Sequence, residues 1–358
     1  VELVFMKKSL IVLLAGMAVA PAFGAPHVEP APFPRPPQKD ISVEAQPWVQ
    51  NCVAEPYLVA DFIYWKVQED GLDYAQRGVG GTANPVTSKG KVYEPDFSFE
   101  PGFRVGLGLN LAHDGWDLLL RYTWMKTHVT DTASVDPALE RLEPLWTHGS
   151  DSFLTGGLSR ARSDWDLHTS VLDFEWGRNY YISRFLTLRP FFGLKGFWQN
   201  QDDQLDYAGF VDPARTIFGE SKVHIDQDAW GFGIRFGTNT AWYFSHHWSV
   251  FADLALTAAW TKFDLERRDY VIIDATNTDS IVVHLDYDRY AMTPIMELGV
   301  GLRWEIWFNN DSYHALIQAG WEEQLWWSFN RLYRIGAPYA VEGNLQYQGL
   351  TMKFRFDF

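Results

Sequence analysis

Phe97-Ser98-Phe99-Glu100-Pro101-Gly102-Phe103-Arg104-Val105-Gly106-Leu107-Gly108-Leu109-Asn110-Leu111-Ala112 decides the fold class. Phe99, Pro101, Phe103, Val105, Leu107, Leu109 and Leu111 occupy one parity, and Ser98, Glu100, Gly102, Arg104, Gly106, Gly108 and Asn110 the other. Successive side chains of a strand point to opposite faces, so this is a strand with one apolar and one polar face. The pattern recurs. Trp116, Leu118, Leu120, Tyr122 and Trp124 oppose Asp117, Arg121 and Thr123. Trp230, Phe232, Ile234, Phe236, Trp242 and Phe244 oppose Gly231, Gly233, Arg235, Gly237 and Asn239. Met296, Leu298, Val300, Leu302, Trp304 and Ile306 oppose Glu297, Gly299, Gly301, Arg303 and Glu305.

A soluble sandwich buries such an apolar face, whereas a membrane barrel turns it outward. Two features favour the membrane. Trp stands at both ends of several apolar stripes (Trp116 and Trp124, Trp230 and Trp242, Trp248 and Trp260), as two interfacial girdles require. The polar parity also carries charge deep inside the strands, at Arg104, Arg121, Arg189, Arg235, Glu297 and Arg303. Such a face must meet water or opposite charge.

Ten strands are expected near 56–67, 97–112, 114–128, 162–179, 184–200, 221–244, 247–263, 287–307, 313–327 and 343–358. Links after the even strands are tight, and those after the odd strands are long (68–96, 129–161, 201–220, 264–286 and 328–342). This alternation predicts an antiparallel up-and-down transmembrane β-barrel with short periplasmic turns, long outer loops and both termini periplasmic. A further strand pair in 68–96 or 129–161 would make twelve. Leu350, Met352, Phe354, Phe356 and Phe358 alternate with polar residues in the last strand. Phe354, Phe356 and Phe358 look like the assembly signal read by the bacterial barrel assembly machinery.

Composition agrees with this class. The 358 residues hold 16% aromatics, including 17 Trp, with 21% charged residues and a net charge of −15. That acidity excludes a nucleic-acid binder, which needs a basic face. One cysteine, Cys52, excludes an internal disulfide framework. Met6-Lys7-Lys8, the apolar Leu10 to Val19 and Ala20-Pro21-Ala22 read as a signal peptide over 1–25, with 1–5 an upstream extension. Residues 26–54 are expected to be a Pro-rich periplasmic linker, and 55–358 the barrel.

Glu55-Pro56-Tyr57-Leu58-Val59-Ala60-Asp61-Phe62-Ile63-Tyr64-Trp65-Lys66 and Gly177-Arg178-Asn179-Tyr180-Tyr181-Ile182-Ser183-Arg184 resemble segments of the major outer-membrane porins of Legionella and chlamydia-like bacteria. The resemblance implies a pore-forming envelope protein in the outer membrane, set among lipid and lipopolysaccharide and passing small hydrophilic solutes by diffusion. Such relatives can be crosslinked between molecules, and Cys52 allows one intermolecular disulfide. By the same resemblance a homotrimer is an expected assembly. The alternative is a non-conducting barrel acting as adhesin or structural envelope protein.

The expected pore lining is Glu100, Arg104, Asp117, Arg121, Asp173, Glu175, Arg189, Lys195, Arg235, Asp253, Glu297, Arg303, Glu305, Glu322, Lys353 and Arg355. These opposed charges can screen a water channel or pair and plug a narrow one. Inward glycines such as Gly108, Gly237, Gly301 and Gly320 either leave lumen volume or permit curvature. Asp202, Asp203, Asp206 and Asp212 are assigned to an acidic outer mouth. The outer loops together carry −12 of the net −15, which predicts weak cation preference. No catalytic residue, cofactor or metal site is assigned. His168 and Ser170 share a strand face without a nucleophile's surroundings, and the Asp202 region lacks the spacing of an EF-hand.

Overall fold

The computed structural model describes residues 54–358 apart from 78–89, 113, 136–141, 147–157, 210–218, 274–277, 310–311 and 333–342. The leader, the linker up to residue 53 (Cys52 included) and Asp212 lie outside the described residues, and Ala54, assigned to the linker, opens the first strand. In chain order the strands are β1 (Ala54–Glu69), β2 (Ala75–Arg77), β3 (Lys91–Tyr93), β4 (Phe99–Leu111), β5 (Trp116–Ser134), β6 (Leu142–Pro144) and β7 (Arg160–Arg178). There follow β8 (Tyr180–Tyr181), β9 (Leu186–Ala208), β10 (Gly219–Tyr243), β11 (Trp248–Ile273), β12 (Thr278–Phe308), β13 (Tyr313–Asn330) and β14 (Gly343–Asp357).

Ten of these close a barrel in the order β1-β4-β5-β7-β9-β10-β11-β12-β13-β14, with β14 antiparallel to β1. The expected ten-strand architecture is observed. β2, β3 and β6 form a separate three-stranded sheet within the long loops, and β8 is a two-residue strand in a turn. Asp114 and Gly115 turn the β4–β5 link with positive φ (57° and 69°), and Asn309 (φ 56°) does so after β12. In these two turns one or two left-handed residues reverse the chain.

The parity assigned from sequence is the parity of the wall. On β4, Phe103, Val105 and Leu107 point outward and stay exposed, while Arg104 and Asn110 point inward and are buried. Ile234 is 66% exposed on β10 although its neighbour Arg235 is 3% exposed. In water this would be an inside-out protein; in lipid it is the stable arrangement. Girdles border the apolar band. Trp230 and Trp260 pack with Tyr290 at the loop end, and Trp116, Trp176 and Phe192 pack at the turn end. Trp230 and Trp242 are twelve residues apart on β10. That is ~40 Å of strand, or roughly 30 Å of height at the ~35–45° tilt of such barrels.

The strands outrun the expectation. Segments 201–208, 264–273 and 278–286, expected as loop, are extensions of β9, β11 and β12. Beyond the girdle the outward face turns polar, so the apolar stripe ends although the period of two continues. Phe354 and Phe358 lie on the outward face of the closing strand, and the Phe358 amide donates to the Pro56 carbonyl.

Placing a charge on the lipid face tests the orientation. Ile234→Arg should destabilise the barrel by about 2–4 kcal/mol in lipid vesicles, as charge near the bilayer midplane does. Urea unfolding followed by Trp fluorescence reads this; an unchanged midpoint would place Ile234 away from lipid.

Candidate functional site

The lumen is the one compartment into which residues of all ten barrel strands converge. In its turn-side half, charged side chains pair. Lys195 Nζ on β9 lies 2.7 Å from Asp173 Oδ1 on β7 and 3.0 Å from Glu297 Oε1 on β12. Arg235 on β10 binds Glu297 at 2.7 Å and also pairs with Glu175. Arg121 reaches Asp173 at 3.3 Å and Glu175 at 3.5 Å. Arg104 bridges Asp61 at 3.3 Å and Glu322 at 2.9 Å. Arg189 holds Asp117, Glu175 at 3.0 Å and the Asn239 side-chain Oδ1 at 2.8 Å.

These pairs cross the interior as well as climbing the wall. Lys195 and Glu297 are separated by two intervening strands, and so are Arg104 and Glu322. One step toward the loops, uncharged residues complete the crossing. Tyr347 Oη on β14 accepts a hydrogen bond from Gln199 Nε2 at 3.0 Å, and β9 stands opposite β14 in the ring. Tyr347 also meets the Thr169 hydroxyl at 2.8 Å. Phe197 packs edge-on to Trp326 at 4.8 Å, and Phe329 closes against Trp326 and Phe263. The loop-side half of the lumen is thus an aromatic core continuous with Trp65, Trp165 and Trp146.

The inward glycines receive side chains. A Cβ on Gly108 would fall within 2.0–2.5 Å of the Tyr57 ring, and Gly301 and Gly320 lie under Phe251. At these positions they make room for lumen rings, so the expectation of unfilled volume there is corrected. A cavity of about 180 Å³ remains in the turn-side half, lined by Arg121, Glu175, Arg189, Arg235, Asp253 and Lys353 among others.

Every residue assigned to the lining lies on the inward parity. Asp253 accepts from Asn239 at 2.9 Å, Arg303 donates to Gln318, Glu305 lies 3.7 Å from His314, and Arg355 pairs with Asp357. Glu100 accepts from Ser98 on the same strand end. Sequence reading missed Asp61, Gln199, Thr169 and Tyr347. Asp61 sits on the inward parity of β1 and was legible; the other three are uncharged and gain meaning only from the partner across the lumen. The acidic mouth is different from expectation. Asp203 points inward and is 2% exposed, whereas Asp202 and Asp206 stand on the outer wall. Their strand continues to Ala208, so alternation sends adjacent carboxylates to opposite faces. His168 and Ser170 are engaged on the outer wall by Trp124 and Tyr122.

A family model described as Legionella pneumophila major outer membrane protein precursor matches residues 52–358. The chain belongs to that family. It is accordingly a multi-pass β-barrel of the bacterial outer membrane. No curated protein matches it. Among solved structures it is similar to the outer membrane protease OmpT of Escherichia coli (8% identity, TM-score 0.41, covering 85% of this chain and 96% of that one). It is also similar to Ail, the attachment invasion locus protein of Yersinia pestis (8%, 0.24, 85% and 98%), and to the toluene transporter TodX of P. putida (8%, 0.28, 85% and 89%).

Two predictions follow the burial of these charges. Removing one partner of a buried pair leaves the other uncompensated, at a cost of about 3–5 kcal/mol. Lys195→Met, which leaves Asp173 to Arg121 and Glu297 to Arg235 and the cluster one positive charge short, should lower unfolding stability by up to that order in urea titrations. Glu69 ends β1 on the loop side, five residues past Tyr64 and beyond the apolar band, and burial pushes its carboxyl up to about 8, with Gln201 offsetting this in part. The folded state therefore keeps a proton that the unfolded chain releases near 4.5. The penalty is absent below pH 4.5, grows as pH rises, and is complete above pH 8. Glu69→Gln should raise the urea midpoint at pH 8 and leave it unchanged at pH 4. A pH-independent difference would contradict the assignment.

Proposed function

We propose that this barrel serves the outer membrane as a closed wall element, a structural and surface-presenting envelope protein. The observation that supports it best is the contact of Tyr347 with Gln199 and Thr169, spanning the ring at the level where Phe197 meets Trp326. A solute crossing at that level would have to break hydrogen bonds and part an aromatic cluster. Beneath it, a solute would have to part a network of buried charges, each of which loses compensation when its partners separate. On this reading the ten strands give rigidity and the long loops offer contact surface.

A second reading, a porin with weak cation preference, draws support from the polar cavity of about 180 Å³ on the turn side. It requires the aromatic layer to open as a gate. Its selectivity rests on the acidic loops, since the lumen charges are close to balanced.

Planar-bilayer recording of the full chain under a KCl gradient separates the two. The closed reading expects no steady steps from the wild type, and open steps from the double variant Trp326→Ala/Tyr347→Ala. Steady wild-type steps with a cation-favouring reversal potential would replace it with the porin reading.

A further inference from the structure

Above the loop-end girdle the outer wall carries an unusual row. Asp166 on β7 stands opposite Asp202 on β9, Asp202 opposite Asp226 on β10, Asp226 opposite Glu266 on β11, and Glu266 opposite Asp286 on β12. Like charges directly opposite one another destabilise a sheet, so this row demands positive charge. Histidines meet it at three places. His224 Nε2 lies 3.3 Å from Asp226 Oδ2 and 3.6 Å from Asp202 Oδ2. His128 Nδ1 lies 3.2 Å from Asp166 and 3.5 Å from Asp164, and His284 Nε2 lies 3.2 Å from Glu266 and 3.6 Å from Asp286. In each trio one imidazole nitrogen and two carboxylate oxygens fall within 4.8 Å of one another.

The middle trio is the clearest. Lys126 and Arg162 share the carboxylates of the first trio, and Arg268 shares Glu266 of the third. Among the described ion pairs, Asp202 and Asp226 have only His224.

One imidazole and two carboxylates form the ligand set that zinc-class ions accept, with a fourth position left open toward solvent. The three side chains project from paired strands, so the set is preformed by the ladder and needs little ordering on binding. We propose that Asp202, His224 and Asp226 form a zinc-class divalent-metal site on the outer wall, with the other two trios as flanking sites of the same construction. Asp202 and Asp226 lie four residues beyond the paired Trp198 and Trp230, ~13 Å along the strand, at headgroup height. A cation there relieves the like-charge contact where anionic headgroups would otherwise deepen it.

The test uses the full chain folded in detergent micelles and freed of metal by a chelator. It is titrated with ZnCl2 by calorimetry and with CoCl2, whose visible absorption reports nitrogen–carboxylate coordination. Saturable micromolar uptake is expected. Asp226→Asn and His224→Ala should each remove one equivalent of zinc and the corresponding cobalt band. Asp228→Asn, two residues away and hydrogen-bonded to Asn200, should leave both unchanged. Heat-modifiable gel mobility verifies that every variant is folded. Absence of saturable uptake below millimolar zinc, or an equal loss with Asp228→Asn, overturns the proposal.

Discussion

A wall that faces lipid on one side and holds Lys195, Arg235 and Arg104 on the other is stable only if those charges are neutralised at contact distance. Lys195 is 2% exposed and sits between Asp173 and Glu297. Withdrawing an ion from water costs several kcal/mol, which only close opposite charge and further hydrogen bonds offset. The register of all ten strands is tied to this requirement. A slip of one residue would turn Arg235 to lipid and Ile234 to the lumen, reversing both faces at once. The ion network and the apolar band are therefore one constraint seen from two sides.

Above the network the chemistry changes. Phe197, Trp326, Phe329 and Phe263 form a packed aromatic layer, and Tyr347 ties β14 to β7 and β9. Small barrels have interiors just wide enough for side chains to fill, and ten strands stand close to that limit. The glycines beside Tyr57 and Phe251 belong to the same packing: each leaves space that an aromatic ring enters. On the proposed reading, this layered interior is what makes the barrel a stiff element of the envelope.

That upper wall shows how a sound sequence rule can stop too early. The apolar stripe ends near Gln199 and Phe263, which predicts strand ends there. The strands instead run on through Asp202 and Glu266, because backbone pairing needs only alternation and a partner, while the stripe records only where lipid lies. Asp203, grouped with Asp202 by sequence, is separated from it by the thickness of the wall.

Fold class, strand number and the apolar and polar faces of the strands within the membrane band were legible in the sequence alone. Each follows from local periodicity read against two solvents, and periodicity is a property of neighbouring residues. The pairing of Lys195 with Glu297, the crossing from Tyr347 to Gln199, and the meeting of His224 with Asp202 and Asp226 were decided by tertiary structure. These contacts depend on strand register and ring order, which join residues far apart in the chain, and on the barrel's small radius, which brings opposite walls within reach of a single side chain.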